Sequence, residues 1–382
     1  MYSISALGDM IADETRTDAY VAALQRAVRV DSVVLDIGTG TGIFALLASR
    51  GGARHVYAVE PSDAIHIARK IAQENGYADQ ITFIQGLSTQ ITLPERVDVV
   101  ISDLHGVLPF FHTHIPSIVD ARQRHLAPGG MLIPQQDSLW AVVVSAPEDY
   151  EATIQPWIDN KYNLKMESAR QVVTNLWNRG RVKPAQFLVE PQSWATLDYR
   201  TVTSPDVCAT LLWTVQQAGL AHGLSLWFDT GVAPGISLSN APGVSELVYG
   251  NAFFPWTNPV SLAGGDEIKV RLQANLIGDD YVWRWETQIW GPPGAHQVKA
   301  RFKQSSVHGS LFSPAQLSKG AADYVSQLSE EGEIDRCVLR MMDGTTSLGV
   351  IADALVQEFP GHFSRRSDAL GRVADLSRRY SR

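Results

Sequence analysis

A glycine-rich turn between two apolar strands constrains the fold of this chain more than any other feature. The apolar run Val33–Ile37 leads into Gly38–Gly42, whose sequence is G-T-G-T-G, and a helix-compatible stretch begins at Ile43. A second apolar run ends on the acid Glu60, roughly 20 residues beyond the turn. In such a βαβ unit the glycines let the backbone approach a ligand, and the acid can bind the two hydroxyls of a ribose. The sequence therefore predicts a Rossmann-like, doubly wound domain that binds a nucleoside.

The spacing within this turn narrows the kind of ligand. It is G-x-G-x-G rather than the G-x-G-x-x-G of dinucleotide-binding proteins, and it lacks the lysine that a phosphate-binding P-loop needs. S-adenosylmethionine has no pyrophosphate, so the shorter turn suits it better than NAD; another nucleotide-binding fold is the alternative. The residues of the two strands and the turn that we predict to bind this methyl donor are Asp36, Gly38, Thr39, Gly40, Gly42, Glu60 and Pro61.

Composition and charge argue against several classes of protein. The chain has 382 residues, of which 45% are hydrophobic and 19% charged, as expected of a folded protein with two or three domains. It has no run of about 20 apolar residues that could span a membrane, and its N-terminus lacks a basic, apolar leader. The net charge of -8 argues against nucleic acid as the main partner. Cys208 and Cys337 lack metal-ligand spacing, so we predict buried thiols in a cytoplasmic protein.

Changes in residue pattern predict four parts of the chain. Residues 1–30 are expected to form a helical lid, and residues 31–145 alternate strands and helices, as in a parallel doubly wound sheet. Residues 146–315 begin with a helical arm at about 151–177 and continue as an antiparallel β-barrel. Residues 334–382 are predicted to form a small helical module. The strands expected in the α/β domain are Ser32–Asp36, Arg54–Glu60, Ile81–Gln85, Val97–Ser102 and Met131–Pro134.

Six segments carry a resemblance to a known family. They are Met10–Thr17, Ser102–Gly106, His125–Pro134, Leu226–Asp229, Asn258–Val260 and Gly265–Ile268. Together they resemble the protein arginine methyltransferases, which have a helical lid, a class I methyltransferase domain and a β-barrel with a dimerisation arm. The resemblance covers roughly residues 2–305 and is strongest in the first half. It implies a homodimer in which Arg16 binds the carboxylate of the donor, Met10 belongs to the donor-binding lid, and Ser88 and Thr89 lie near the adenine.

The chain departs from this family at the acceptor site. The family holds a guanidinium with two glutamates on one loop, and the matching positions here are Asp103 and His112. The family's Thr-His-Trp signature aligns with Leu-Val-Tyr at residues 247–249. A guanidinium presents five donors in a planar fork, and one carboxylate with an imidazole offers it fewer acceptors than two carboxylates do. Arginine is therefore not the substrate that we expect.

The altered loop suggests a different catalytic arrangement. A histidine can remove a proton near neutral pH, so we predict His112 as the general base and Asp103 as the residue that orients the acceptor and also contacts the donor. His105 and His114 flank this loop and are weaker candidates, and all three histidines could instead be surface residues. A metal site formed by Asp103 and these histidines is a less favoured alternative, so no metal is predicted.

The C-terminal segment suggests how a substrate is recognised. Residues 337–376 resemble a PqqD-type module, a small helical unit that binds leader peptides of ribosomally made natural products. This resemblance implies a peptide substrate, and among such pathways the daptide type requires methylation of a C-terminal amine. Three amphipathic helices could equally be a structural cap. The arginines near the end are expected to form a solvated helix face or to dock an acidic partner; they are Arg365, Arg366, Arg372, Arg378, Arg379 and Arg382.

The function expected from the sequence is transfer of a methyl group from S-adenosylmethionine to an amine of a peptide. We expect a cytoplasmic homodimer with no nucleic-acid or membrane partner. Three alternatives remain open: an O-methyltransferase acting on a small molecule or carboxylate, a donor-binding scaffold without catalysis, and a divergent arginine N-methyltransferase.

Overall fold

The computed structural model describes residues 3–293, 298–311, 313 and 318–381. The chain forms two compact units, one comprising residues 1–311 and the other residues 312–382. The first unit contains an α/β domain followed by an antiparallel β domain. The second unit is helical. The predicted fold class is therefore confirmed.

The α/β domain has two leading helices and a parallel five-stranded sheet with the order β3-β2-β1-β4-β5. Its β1 is buried along its whole length, as expected for a central parallel strand with helices on both faces. The strand order reverses between β1 and β4, so a crevice opens beyond the carboxyl ends of these two strands. Its elements are α1 (Ile4–Ala12), α2 (Glu14–Ala27), β1 (Val33–Ile37), α3 (Ile43–Arg50), β2 (His55–Glu60), α4 (Ala64–Glu74), β3 (Ile81–Gln85), β4 (Val97–Ser102), α5 (His114–Arg124) and β5 (Leu126–Ile133).

The antiparallel β domain consists of two hydrogen-bonded sheets, with the orders β7-β12-β10-β6-β8 and β15-β14-β13-β9. The short strand β11 pairs with β10. Three tryptophans, Trp256, Trp283 and Trp285, are each at most 2% exposed and fill the core of this domain. The strands are β6 (Gln136–Val144), β7 (Asn178–Gly180), β8 (Gln192–Asp198), β9 (Val207–Thr214), β10 (Gly219–Ala233), β11 (Ile236–Ser239), β12 (Asn251–Leu262), β13 (Glu267–Ile277), β14 (Asp280–Trp290) and β15 (Val298–Ser305).

The segment between β6 and β7 forms two helices, α6 (Pro147–Ile158) and α7 (Glu167–Val173). They are separated by a turn in which Asn163 has a left-handed backbone conformation, with φ 55°. The predicted helical spacing around residues 151–177 is thus interrupted at its centre. The exposed side chains of Ile158, Tyr162 and Leu164 leave an apolar surface on this turn.

Between residues 329 and 381, all of which the structure describes, the second unit has three helices with a core of their own. They are α8 (Glu330–Met341), α9 (Leu348–Glu358) and α10 (Arg366–Tyr380). Ser329 and Ser347 cap the first two by accepting hydrogen bonds from the backbone. The core side chains are Ile334, Val338, Ile351, Ala352, Leu355, Ala369, Val373 and Leu376.

Ion pairs within this helical unit account for most of its arginines. Arg366 pairs with Asp353, and Arg372 pairs with Asp335. Arg365, just before α10, pairs with Asp368, and Arg378 pairs with Asp375 on the same helix. These contacts fit the solvated helix face better than a surface for an acidic partner. Arg382 lies outside the described residues.

The structure corrects the prediction that both cysteines are buried. Cys208 is exposed and Cys337 is half-buried. On β9 the exposed and less exposed positions alternate, and Cys208 falls on the exposed side. Within the described residues, no helix is long and apolar enough to cross a membrane.

Candidate active site

The glycine turn after β1 has the backbone conformation that its sequence predicts. Gly38, Gly40 and Gly42 have φ values of 72°, 55° and 86°, which L side chains rarely adopt. The amide of Gly38 donates to the carbonyl of Val59 on β2, at 2.8 Å. A Cβ at Gly38 would lie 2.5 Å from the side chain of Leu104, which follows β4. The turn therefore packs directly against the loop that carries Asp103.

Asp36 holds this turn in place. One of its carboxylate oxygens accepts hydrogen bonds from the Thr39 hydroxyl at 2.6 Å and from the Ala45 amide at 3.1 Å. Burial raises the pKa of Asp36 to about 7, although both hydrogen bonds act in the opposite direction. Asp36 and Thr39 thus shape the predicted donor site through its backbone.

Glu60 ends β2 and faces the same turn. Its carboxylate accepts from the Gly40 amide at 3.1 Å and from the Ser62 amide at 2.9 Å. A carboxylate has about four acceptor positions, so two remain for other donors. The adjacent Pro61 is exposed. This arrangement suits an acid that binds a pair of ribose hydroxyls.

The other residues expected at the donor site lie on separate elements. Ser88 and Thr89 form a short 3₁₀ helix, in which Ser88 is buried and Thr89 exposed. Met10 lies on α1, and its carbonyl accepts a hydrogen bond from the guanidinium of Arg16 at 2.9 Å.

Arg16 lies on α2 and is only 3% exposed. Its guanidinium forms an ion pair with Asp103 and donates to the Tyr249 hydroxyl at 3.0 Å. The structure therefore brings together Arg16 and Asp103, two residues that the sequence predicts separately for the donor and the acceptor.

Asp103 follows β4 and is fully engaged by its neighbours. Besides Arg16, the Tyr249 hydroxyl lies 2.8 and 2.7 Å from its two oxygens, and the His105 Nδ1 lies 3.1 Å from one of them. Burial by itself would raise the pKa of Asp103. The charge of Arg16 and the hydrogen bonds from His105 and Tyr249 outweigh burial and hold that pKa well below its usual range. Asp103 is therefore ionised at neutral pH.

His105 lies between two carboxylates. Its Nδ1 faces Asp103, its Nε2 lies 2.8 Å from an oxygen of Asp137, and its ring stacks on Phe228 with centroids 5.0 Å apart. Burial would lower the pKa of His105, but the two carboxylates raise it to about 10. His105 is consequently an imidazolium at neutral pH and has no free nitrogen with which to accept a proton. As a catalytic candidate it can orient Asp103 but cannot serve as a base.

Asp137 is a site residue that the sequence analysis missed. It lies on β6, is fully buried, and accepts hydrogen bonds from the Thr230 hydroxyl at 2.6 Å and from the Tyr199 hydroxyl. Its signal in the sequence was an acid in phase with the inward-facing apolar positions of β6, beginning at Leu139.

His114 completes this buried cluster. Its Nε2 lies 2.8 Å from the Tyr199 hydroxyl, and its buried Nδ1 has no hydrogen-bond partner among the residues that the structure describes. Burial and the neighbouring charge of His105 lower the pKa of His114 to about 3, so this ring is neutral. It contacts Tyr199 rather than Asp103.

The side chains of His105, His114 and Asp137 lie close enough to be metal ligands by proximity alone. Nε2 of His105, Nε2 of His114 and a carboxylate oxygen of Asp137, however, already have hydrogen-bond partners within the cluster, and Nδ1 of His114 is left without a partner among the described residues. Because the imidazolium of His105 carries protons on both nitrogens, it has no lone pair for a metal. The cluster is therefore better explained as a hydrogen-bond network, and the absence of a metal stays a prediction.

His112 does not lie where the sequence predicts. It has a φ of 44°, its side chain is 53% exposed, and its Nδ1 pairs with Asp280 at 3.0 Å. The His112 ring contacts the carbonyl of Asp279, in the turn between β13 and β14, and does not contact Asp103. The expectation that His112 reaches the acceptor site is therefore wrong, and a general base at this position lacks the contact that it needs.

Tyr249 replaces the tryptophan of the family signature with a hydroxyl that contacts both Arg16 and Asp103. The preceding Val248 amide donates to Asp13 at 2.7 Å, which links this segment to the helical lid. Leu247 is buried. From the sequence, residues 247–249 indicate only that the family's Thr-His-Trp signature is absent, and nothing local predicts the role of the Tyr249 hydroxyl.

Two family descriptions match the chain. Residues 34–130 match a methyltransferase domain, and residues 135–288 match the arginine methyltransferase oligomerization subdomain. Together these matches include Asp36, Glu60, Asp103, Asp137 and Tyr249. The three helices of the second unit lie beyond both matches.

The curated relatives described here are all named protein arginine N-methyltransferases. Protein arginine N-methyltransferase 2 of Mus musculus is 34% identical over 232 residues, which are 58% of this chain and 52% of that protein. Protein arginine N-methyltransferase 1 of Chlamydomonas reinhardtii is 30% identical over 61% of this chain and 70% of its own length. Protein arginine N-methyltransferase 2 of Dictyostelium discoideum is 32% identical, over 59% of this chain and 46% of its own length. The chain thus spans about half the length of the mouse and Dictyostelium relatives that it matches.

Solved structures share the fold. Protein arginine methyltransferase 10 of Arabidopsis thaliana superposes with a TM-score of 0.69 at 24% identity, covering 79% of this chain and 97% of that chain. The Trypanosoma brucei PRMT1 enzyme-prozyme complex with AdoHcy superposes with a TM-score of 0.70 at 23% identity, covering 78% of this chain and 96% of that one.

Proposed function

Because the chain belongs to the protein arginine methyltransferase family, we propose that it transfers a methyl group from S-adenosylmethionine to a nitrogen of a protein or peptide. The observation that carries this proposal is the position of Asp103. This buried, ionised carboxylate lies at the carboxyl end of β4, and its neighbour Leu104 packs against Gly38 of the glycine turn. An acceptor held by Asp103 would therefore be next to the donor.

The residues around the turn fit S-adenosylmethionine. Gly38 and Gly40 allow the positive φ values that the turn needs, Glu60 has acceptor positions for ribose hydroxyls, and Arg16 offers a positive charge for the donor's carboxylate. When bound, the donor supplies an electrophilic methyl group on a sulfonium. In this structure the charge of Arg16 is paired with Asp103 instead.

The task of Asp103 in this reaction is to orient the acceptor. Its low pKa makes it a poor base, and its negative charge makes it a strong hydrogen-bond acceptor. When the donor's carboxylate takes over Arg16, the Asp103 oxygen that Arg16 now occupies would be free to accept an N–H of the substrate. That hydrogen bond would direct the nitrogen lone pair towards the donor, and the proton lost on methylation would pass to water. Catalysis would then come from proximity and from the field of a fixed negative charge.

The comparisons favour arginine as the acceptor, because each curated relative described above is named an arginine N-methyltransferase. A divergent arginine methyltransferase is thus better supported than maturation of a ribosomal peptide, which none of the reported matches names. In this interpretation one carboxylate holds the guanidinium where the family uses two acids.

One observation favours a peptide amine as a second candidate. His112 points away from the site, so Asp103 is the single acid that the loop supplies, and a fork of five donors is poorly matched. An amine needs only one oriented acceptor. The resemblance of residues 337–376 to a leader-peptide module supports a peptide carrier for that amine, and a daptide-type C-terminal amine is the most specific form of this candidate.

The test is to incubate the protein with methyl-labelled S-adenosylmethionine and two peptide sets, one rich in Gly-Arg and one with free terminal amines but no arginine. We expect label on peptide nitrogen, and acid hydrolysis then separates methylarginine from methylated amine. The variant Glu60→Ala tests whether the donor binds at the glycine turn. Loss of a carboxylate that binds hydroxyls should weaken donor binding by about 1–3 kcal/mol in calorimetry.

Each outcome of this test separates the candidates. Methylarginine identifies the first acceptor, and methylated amine the second. Label only on oxygen, or donor binding with no transfer to either peptide set, would contradict the proposal in favour of an O-methyltransferase or a scaffold. Equal donor affinity in Glu60→Ala would overturn the placement of the donor.

We further propose that the protein is a homodimer formed through the turn between α6 and α7. The match to an oligomerization subdomain supports this, as do the exposed side chains of Ile158, Tyr162 and Leu164. These three apolar groups close together favour burial against another protein surface. Light scattering at micromolar concentration should give twice the monomer mass of 41.9 kDa, and Tyr162→Glu with Leu164→Glu should give monomers. A wild-type monomer would contradict this proposal.

A further inference from the structure

A continuous chain of buried polar side chains extends from Asp103 into the β domain, away from the donor turn. It passes through His105 to Asp137, and from Asp137 to Tyr199 and His114. Each of these five side chains is at most 3% exposed or fully buried. Burying so many ionisable groups is costly unless they are paired, so the network needs an explanation beyond packing.

We propose that Asp137 is a positioning residue that sets the orientation and charge of Asp103 through the ring of His105. This inference rests on the proposed methyl transfer, in which Asp103 holds the acceptor. It gives the β domain an indirect part in the chemistry of the α/β domain, through His105. The hydrogen bonds of Asp137 come from His105, Tyr199 and Thr230, none of which belongs to the donor turn.

The geometry fixes the ring of His105 in one position. Its face stacks on Phe228 with an angle of 8° between the planes, and its edge meets Tyr249 with centroids 6.0 Å apart. One nitrogen faces Asp103 and the other faces Asp137. Because ionised carboxylates only accept hydrogen bonds, both ring nitrogens must carry protons to satisfy both contacts.

Asp137 is in turn fixed so that it can hold this ring. Its two oxygens accept from Thr230 on β10 and from Tyr199 after β8, while the third hydrogen bond comes from His105. These hydrogen bonds and the charge of His105 outweigh burial and lower the pKa of Asp137. Asp137 is therefore a permanent negative charge on the far side of the imidazolium.

The charges around His105 balance when all four are present. Arg16 and His105 carry positive charges, and Asp103 and Asp137 carry negative ones. Removing the charge of Asp137 leaves two cations facing one carboxylate, so the His105 ring should lose its proton at a lower pH. The titratable or charged groups that face His105 from the surrounding elements are Arg16, Asp103, His114, Asp137, Tyr199 and Tyr249.

The first test needs no substrate and uses the wild-type protein. Nitrogen-15 NMR of histidine-labelled protein, with His105→Gln for assignment, should show both ring nitrogens of His105 protonated and unchanged from pH 6 to 9. In Asp137→Asn the same ring should titrate within this range, since one of its two carboxylates is gone. A neutral His105 ring in the wild type would overturn the proposal even if the variant fails to fold.

The second test measures turnover against pH. In Asp137→Asn we expect kcat to fall by roughly 10-fold or more, with a further loss as rising pH removes the proton from His105, while the KM for the donor changes little. The wild type should show no ionisation of His105 in that range. A variant with an unchanged kcat and pH profile would reduce Asp137 to a structural residue.

A matched control separates these effects from the general cost of removing a buried carboxylate. Asp266 is also fully buried in the β domain and pairs with Lys299 at 2.5 Å, outside the network. Asp266→Asn should leave the pH profile and the His105 resonances as in the wild type. If neither peptide set is methylated, the proposed function fails, and the NMR titration still decides whether Asp137 controls the charge of His105.

Discussion

Asp103→Asn should lower methyl transfer by roughly 100- to 1000-fold while the protein still binds S-adenosylmethionine. Asn preserves the size of the side chain and can still accept from Tyr249, but it cannot provide the negative charge that holds an acceptor N–H. The loss should appear in kcat, because this charge acts on the oriented acceptor. Single-turnover kinetics with saturating donor measure it directly.

The donor affinity of this variant provides the internal check. Arg16 is paired with Asp103 in the structure, and removal of that charge leaves the guanidinium more available to the donor's carboxylate. Calorimetry should therefore show donor binding that is no weaker than in the wild type. Strongly weakened binding together with lost turnover would mean that Asp103 shapes the donor site, and the role in acceptor orientation would have to be abandoned.

His112→Ala is the comparison variant, because His112 and Asp103 occupy the two positions at which the family has glutamates. The His112 side chain is exposed and paired with Asp280, so its removal should leave turnover close to that of the wild type. A large loss in His112→Ala, similar to that in Asp103→Asn, would show that the loop rearranges on substrate binding and would restore His112 as the base.

The α/β domain was predictable because its signals are local. The strand at Val97–Ser102 is apolar except for Asp98 and the terminal Ser102, and the structure has it at the same bounds. The turn Gly38–Gly42 needs positive φ values, which restrict its sequence to glycine at three positions. Where the signal was weaker, as at the fifth strand, the observed β5 begins at Leu126 and thus earlier than expected.

The buried network was not predictable because its contacts are distant in sequence. Asp137 meets His105 32 residues away, Tyr199 62 residues away and Thr230 93 residues away. The residues next to a single acid on an apolar strand do not show whether that acid is buried in a hydrogen-bond network or exposed at the edge of a sheet. The register of β6 between β8 and β10 places Asp137 opposite Thr230 and opposite a residue of β8 two positions before Tyr199, while His105 comes from the loop after β4.

His112 shows the opposite error, in which a motif position was taken as a side-chain position. The spacing from Asp103 was correct for the family, but the direction of the side chain depends on a backbone φ of 44° and on a hairpin turn at Asp279. Neither can be inferred from the residues of the loop. Motif spacing therefore predicted which loop carries the site but not which of its side chains enter it.

Arg16→Ala should destabilise the first unit by about 3–5 kcal/mol, because it leaves Asp103 as a buried charge without its main partner. All ten tryptophans lie between residues 140 and 290, so tryptophan fluorescence in urea reports the unfolding of this unit alone. Arg16→Ala combined with Asp103→Asn should cost less than the sum of the single changes. The exposed pair of Arg54 and Glu95 is the matched control, and Arg54→Ala should change stability little.

The pH dependence of the stability of these variants is a second measurement of the ion pair between Arg16 and Asp103. The pKa of Asp103 is lowered by folding, so its ionisation stabilises the native state above the unfolded pKa of about 3.9 and is lost as the pH falls. The stability difference between the wild type and Arg16→Ala should therefore be largest near neutral pH and should shrink below about pH 4. A difference that stays constant from pH 7 to pH 3, or additive single changes in the double variant, would mean that Arg16 stabilises the unit through packing alone. In that case the ion pair would contribute nothing to holding Asp103 in place.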